Sequence, residues 1–386
     1  MNIFNLKSTY YFGKDALGGV ATELKKRGFK NPMILYGGGS IKTNGIHFSL
    51  VDLLVENGYD NFVEYSGIEP NPRDTTIMNA SLFARNEKVD VILAVGGGSV
   101  VDASKVIGIL ARNPQYTNAW DYVTDNSKVI NDSIPVIAII TLAGTGSENN
   151  SGSVITNEIT KEKKSVMTPS ANPIVTIENP EFTFSVSRYQ TACGIFDCFS
   201  HLLEQYFGTK TFHWTKEYIY ANLKVLLKYA KVVLKEPNNY EARSNILWTT
   251  SMGLNGLASF RTEGDWAVHI IEHAFSGLWD IAHGAGLALI TPYYLFVRSK
   301  KEEWFAEKII ELGKEIFSVD TVQSTINAIA SFIISIGLPV KWTQFSEIQQ
   351  FNDDDFKFLT NHAIKFGSDT MKDVYISTIS LIKNKY

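Results

Sequence analysis

Through roughly the first 185 residues, short apolar runs alternate with stretches whose apolar positions recur every three to four residues. MILY (33–36), VILAV (91–95) and VIAII (136–140) are continuous apolar runs, and they predict strands buried in a largely parallel sheet. Between them IHFSLVDLLVENG (46–58) and TTIMNASLFARNEK (75–88) follow a helical period, the first closed by Gly58. Strand and helix alternating in this way predict an α/β domain. After Ser187 glycine-rich strand ends vanish and long helical segments take over, such as EYIYANLKVLLKYAKVVLK and EEWFAEKIIELGKEIF. PEFTFSVS (180–187) reads as a connector. The expected fold is α/β plus all-α: an N-terminal Rossmann-like parallel-sheet domain over 1–185 and a C-terminal helical domain over 186–386.

Length agrees with this division, because 386 residues exceed what one hydrophobic core usually holds. A ligand is then expected between the domains. A hydrophobic fraction of 45% and a charged fraction of 20% describe an ordinary globular chain. The formal charge of −4 supplies no positive field for nucleic acid, and KEKK (161–164) and Lys300-Lys301 are too short to change that. Both read as solvated loops. No apolar run is long enough to span a bilayer, and the opening MNIFNLKSTYYFGKD lacks a signal-peptide core, so the expected location is cytoplasmic. Cys193 and Cys198 lie on one predicted helix pointing roughly opposite ways, which makes a disulfide between them improbable.

Candidate chemistry begins at the strand ends. VILAV runs into Gly96-Gly97-Gly98-Ser99 and then a predicted helix, an arrangement whose backbone amides and helix start can cradle an anion. It is not the dinucleotide fingerprint G-x-G-x-x-G, because Val101 stands at the third glycine. MILY runs into Gly37-Gly38-Gly39-Ser40. No Asp or Glu occurs between Tyr36 and Asp52 to meet a ribose 2′-hydroxyl, while Ser40 and Lys42 could hold a 2′-phosphate. This leans towards NADP(H), with NAD as the alternative. The third strand exits through TLAGTGSE (141–148), placing a third loop at the same sheet edge. One such loop is readily a tight turn; three after three strands point to a ligand.

The helical half adds a second cluster. In SRYQTACGIFDCFSHLLEQYF (187–207), Asp197 and His201 stand four apart, opposite the apolar stripe. In HIIEHAFSGLWDIAH (269–283), His269 and His273 repeat that spacing, and His283 follows in what reads as a loop folding back. Seven histidines in the chain, three of them in these fifteen residues, argue against chance. A carboxylate with imidazoles suits Fe²⁺ or Zn²⁺ better than Ca²⁺ or Mg²⁺, which prefer oxygen shells. Asp197, His201 and two of the three clustered histidines make a full set, and spacing does not say which two.

Taken together, YGGGS (36–40), EPNPR (69–73), VGGGSVVDASK (95–105), TGSENN (145–150), GIFDCFSHLLEQYF (194–207) and HIIEHAFSGLWDIAHGAGLAL (269–289) carry a likeness. The chain resembles the iron-containing (group III) alcohol dehydrogenases, in the branch of butanol dehydrogenases and broad-range aldehyde reductases. The resemblance implies a dehydroquinate synthase-like architecture, a homodimer, and NAD(P)H-linked reduction of small aldehydes. It further implies that Asp197, His201, His269 and His283 bind the metal and that His273 lies near the nicotinamide. Gly96, Gly97, Gly98, Ser99 and Asp102 match a pyrophosphate loop, Thr141 and Thr145 cofactor-contacting threonines, and Gly38 and Ser40 the adenosine-ribose end. Asn149 departs from the apolar residue common before Asn150 in this branch, which bears on substrate preference.

Two rivals remain at this stage. A dehydroquinate synthase-like lyase would need several Lys or Arg around the metal, where 187–207 and 266–286 offer only Arg188. A non-catalytic nucleotide-binding protein would retain the cradle and lose turnover.

Overall fold

The computed structural model describes residues 8–128, 130, 132–210 and 212–385. Its strands are β1 Thr9–Phe12, β2 Pro32–Tyr36, β3 Val63–Tyr65, β4 Val91–Gly96, β5 Val136–Ile140, β6 Gly152–Thr156, β7 Lys163–Met167 and β8 Val175–Glu178. Six form one all-parallel sheet in the order β1-β8-β5-β4-β2-β3, and β6 pairs antiparallel with β7. Every residue of β2, β4 and β5 is buried, as expected when both faces of a parallel sheet are covered.

Three helices built from the predicted segments cover the sheet: α1 Ile46–Glu56, α2 Asp74–Asn86 and α3 Gly98–Arg112. Met33, Leu35, Ile92 and Ala94 share a core with Ile77 and Ala80 of α2 and Val106 of α3. The alternate residues Ile34, Leu93 and Val95 share the opposite core with Leu50 and Leu54 of α1. The chain leaves β2 for β3 on one side and then returns to β4 on the other. The strand order therefore reverses between β2 and β4, where ligands of open α/β sheets bind.

In the C-terminal half the helices that carry candidate chemistry are α4 Arg188–Tyr206, α5 Tyr240–Gly253, α6 Ala267–Trp279 and α7 His283–Lys301. The chain forms two compact units. One contains the described residues up to Val186 together with Asn238–Asn255; the other contains Ser187–Pro237 and the residues from Gly256 onward. This corrects the division at 185/186 by one helix. Leu247 of α5 packs with Val101, Ala138 and Ile140 of the sheet unit, and Trp248 meets Tyr10 and Phe12 edge-on. A helix assigned by its neighbours in sequence thus belongs to a core reached only by tertiary contact.

KEKK is also corrected: Lys163 lies in β7, is buried, and donates to Asn71 Oδ1 at 2.8 Å. Lys300 and Lys301 end α7 rather than occupying a loop. Cys193 and Cys198 are buried and form no disulfide with each other. Among the described residues no helix is long and apolar enough to cross a membrane.

Candidate metal centre and dinucleotide loops

Ser187 caps α4 by accepting the Gln190 amide at 3.2 Å, and from Thr191 to Tyr206 the helix is buried all round. The polar face carrying Asp197 and His201 is therefore interior, because α7 packs against α4 and also against α6. His269 and His273 of α6 are buried as well. His283 is not in a loop. Helix α6 ends at Trp279, Asp280 takes a left-handed φ of 54°, and His283 opens α7. A Cβ on the next residue, Gly284, would run into the backbone carbonyl of Cys193, so only glycine lets α7 close on α4 here.

The result is convergence. Asp197 Oδ1 lies 3.5 Å from His201 Nε2, 3.7 Å from His269 Nε2 and 3.7 Å from His283 Nε2. Ligands about 2.1 Å from a tetrahedral ion stand about 3.4 Å apart. Asp197, His269 and His283 offer donor atoms all within 4.8 Å of one another, so these three fit one shared divalent cation, and His201 adjoins them through its approach to Asp197. Asp197 Oδ1 and His269 Nε2 are buried with no hydrogen-bond partner, an expensive state that a cation at their midpoint relieves. Burial opposes ionisation of Asp197, but the imidazoles of His201, His283 and His269 outweigh it and hold the carboxyl far below its usual range. Burial pulls His201 down to about 4 against the pull of Asp197, leaving a neutral imidazole with a free lone pair. His269 goes the other way: burial disfavours its charge, yet Glu204 and Asp197 push it up to about 10. The carboxylates around His269 thus call for positive charge, which a metal ion supplies as well as a proton does.

Behind the first ring of donors stand two acids that the sequence reasoning missed. Glu204 accepts from His269 Nδ1 in a short bond, and Glu272 pairs equally closely with His283 Nδ1. Such bonds fix the tautomer that presents Nε2 to a metal. Glu204 also accepts the Val268 and His269 amides at 3.0 and 3.1 Å and the Ser200 hydroxyl at 2.8 Å. The signal was available: each acid lies one helical turn beyond a proposed ligand, Glu204 after His201 and Glu272 after His269. His273 stands beside the centre, its ring 5.8 Å from that of His283, and groups with Glu272 and His283 rather than with Asp197.

In the sheet unit the glycine loops after β2 and β4 flank the reversal of strand order. Gly98 opens α3, with Gly97 before it and Ser99 after it, and a Cβ on Gly98 would strike the side chain of Thr145. Thr141 leaves β5 with its amide on Gly96 O at 3.0 Å. Both oxygens of Asp102 are taken up by protein: Ser147 donates its hydroxyl to one, and the Val154 amide reaches the other at 2.8 Å. Lys105, buried beside it, donates to Ser147 O, Ser147 Oγ and Gly152 O at 2.6, 2.7 and 2.6 Å. This network binds the β5 exit loop to α3.

At the other loop Gly39 takes a left-handed φ of 94° and Ser40 starts a single helical turn after Gly37 and Gly38. An acid from β3, Glu64, stands beside this loop. Glu64 accepts the Tyr36 hydroxyl at 3.0 Å, lies 3.0 Å from His47 Nε2, and stands 3.8 Å from Lys42 Nζ. Glu64 beside Lys42 weakens the lean towards NADP(H) drawn from the sequence.

The chain matches known proteins over most of its length. The family model described as iron-containing alcohol dehydrogenase matches residues 7–180, and that of the Fe-containing alcohol dehydrogenase family, C-terminal, matches residues 191–373. The chain belongs to the iron-containing alcohol dehydrogenase family. It is an oxidoreductase of the alcohol dehydrogenase class. It is 39% identical over 318 residues to NADH-dependent butanol dehydrogenase B of Clostridium acetobutylicum, covering 82% of this chain and 80% of the relative. It is 32% identical to the NADPH-dependent aldehyde reductase YqhD of Escherichia coli, over 89% of each chain. The crystal structure of NADH-dependent butanol dehydrogenase A from Thermotoga maritima superposes with a TM-score of 0.91 at 30% identity, covering 99% of this chain and 98% of that one. These likenesses give no support to the lyase rival, and Arg188 spends a guanidinium nitrogen on Leu234 O.

Proposed function

We propose that this protein reversibly reduces small aldehydes to primary alcohols with NADH or NADPH, using Fe²⁺ or Zn²⁺ held by Asp197, His201, His269 and His283. The observation that carries the reading is three imidazole Nε2 atoms set 3.5 to 3.7 Å around one buried, unpartnered carboxylate oxygen. The ion supplies Lewis acidity to the carbonyl oxygen, and the dihydronicotinamide supplies the hydride. Gly37, Gly38, Gly39 and Ser40 serve the adenosine ribose, while Gly96, Gly97, Gly98 and Ser99 receive the pyrophosphate on backbone amides. Thr141 and Thr145 line the β5 exit. Asp102 braces that cradle through Ser147 and Val154 rather than facing the phosphates, whose charge it would repel.

Glu204 and Glu272 orient the imidazoles of His269 and His283. His273, adjoining the centre, delivers the proton that the product oxygen requires, since an imidazole exchanges protons in the useful range. The names of relatives support both nicotinamide cofactors, and the Lys42 and Glu64 pair leaves the choice between them to measurement.

The test is NAD(P)H oxidation with butyraldehyde on protein purified without oxygen, before and after chelation. Loss of turnover on chelation and its return with Fe²⁺ or Zn²⁺ is expected. Binding of NAD(P)H without turnover in the metal-loaded protein would instead favour a non-catalytic nucleotide-binding role.

A further inference from the structure

His269 and His283 each rest Nδ1 on a carboxylate, but His201 does not. Its Nδ1 is buried, and no described protein group hydrogen-bonds it. A metal-binding imidazole ordinarily owes its orientation to such a bond. The His201 ring is instead held between aromatic neighbours. It stacks on His269 with centroids 4.7 Å apart and planes 15° from parallel. The indole of Trp266 meets it edge-on at 6.1 Å and 62°, and meets His269 the same way at 5.6 Å and 74°. Trp266 therefore packs on both members of the stacked pair.

The backbone that places this indole is unusual and firmly anchored. Trp266 takes a left-handed φ of 58°, a conformation a bulky residue adopts only when its surroundings compel it. Before it, the Asp265 amide donates to Glu204 O at 2.9 Å. The Asp265 carboxylate pairs with Arg298 at 2.5 Å and accepts the Tyr294 hydroxyl. After it, Trp266 O accepts the Ile270 amide at 3.0 Å and starts the ladder of α6. A Cβ on Gly264 would run into the indole, so glycine leaves the ring its room. Glu204 thus anchors the turn that carries Trp266 with its carbonyl and the His269 ring with its carboxylate.

We propose that Trp266 is a positioning residue for the metal centre, fixing the ring of His201 by packing where the other two imidazoles have a carboxylate. This rests on the reading of His201 as a ligand. Strain at a site is retained where it serves function, and here it sets an indole against both proposed ligands, roughly perpendicular to their rings.

The experiment is chelator competition for Zn²⁺ and Fe²⁺ on the full chain, with circular dichroism to confirm folding. Trp266→Ala is expected to weaken metal binding ~10-fold, as loss of an outer partner does. Trp266→Phe, which keeps an aromatic edge, is expected to recover most of that loss. In a His201→Ala background the Trp266→Ala effect is expected to vanish, because the two residues act on one bond. Trp266→Leu replaces Trp266→Ala should the smaller side chain prevent folding. If His201→Ala weakens binding while both Trp266→Ala and Trp266→Leu bind as the wild type does, the positioning role is overturned. A Trp266 effect that persists unchanged without His201 overturns it too. If wild type and His201→Ala bind equally, the ligand assignment itself has failed.

Discussion

Replacing Glu204 by Gln isolates what one buried carboxylate does for the proposed centre. Four donors converge on its two oxygens: His269 Nδ1, the Ser200 hydroxyl, and the amides of Val268 and His269. The last two are in the first turn of α6, so Glu204 caps a helix that its own N-cap residue, Trp266, leaves uncapped by any side chain. Glutamine preserves the shape but has one acceptor oxygen, and its amide N–H groups must face donors. Losing a hydrogen bond to a charged group costs about 1.5–3 kcal/mol, and losing a helix cap about 1 kcal/mol. The metal-free variant is therefore expected to melt several degrees below wild type. Metal affinity is expected to fall ~10- to 100-fold, because His269 loses the partner that fixes its tautomer. Chelator competition measures the second effect and thermal denaturation of the metal-free protein the first. Wild-type metal affinity in a folded Glu204→Gln protein would refute the argument that the outer carboxylate orients His269.

Other outcomes follow from the same geometry. Gly98→Ala places a methyl group against Thr145 and is expected to weaken NAD(P)H binding by an order of magnitude while leaving metal content unchanged, as fluorescence titration and metal analysis can check. Burial pulls Lys105 down to about 8 from 10.5, against Asp102 and Glu148, so between those values the unfolded chain holds more protons than the folded one. The cost of its burial is then fully present below pH 8 and relieved as pH rises towards 10.5. Denaturant titrations across that window should show wild type gaining about 3 kcal/mol relative to Lys105→Met, and a pH-independent gap would contradict the assignment. Ser251 Oγ lies 2.5 Å from both Glu148 and Glu178, and one hydroxyl proton cannot serve two carboxylates, so one of the acids carries a proton. Glu178→Gln should accordingly be tolerated, whereas Ser251→Ala should cost about 1–3 kcal/mol in chemical denaturation by stranding that buried pair.

The chain disclosed its buried strands readily, because β2, β4 and β5 are covered on both faces and read as unbroken apolar runs. It disclosed β1, β3, β6 and β7 poorly: they are short, partly exposed, and depend on partners distant in sequence. The helical spacing of Asp197 and His201, and of His269 and His273, showed which side chains share a face. It did not show that this face is interior, since α7 is what buries it. Choosing His283 over His273 needed the resemblance; in the fold Asp280 turns the chain and Gly284 lets α7 approach α4, which brings His283 Nε2 within 3.7 Å of Asp197. Glu64, Glu204 and Glu272 escaped notice because each acts on a residue from another element or another turn. Helix α5 was misassigned for a related reason, its place being set by Leu247 and Trp248 rather than by its neighbours along the chain.

The central claim is that one divalent ion sits where Asp197 meets three imidazoles, and metal analysis of anaerobically purified protein tests it most directly. One Fe²⁺ or Zn²⁺ per wild-type chain is expected, and a folded Asp197→Ala protein that retains none and no longer reduces butyraldehyde. Stoichiometric metal in that variant, or full turnover by a wild-type protein stripped of metal, would contradict it.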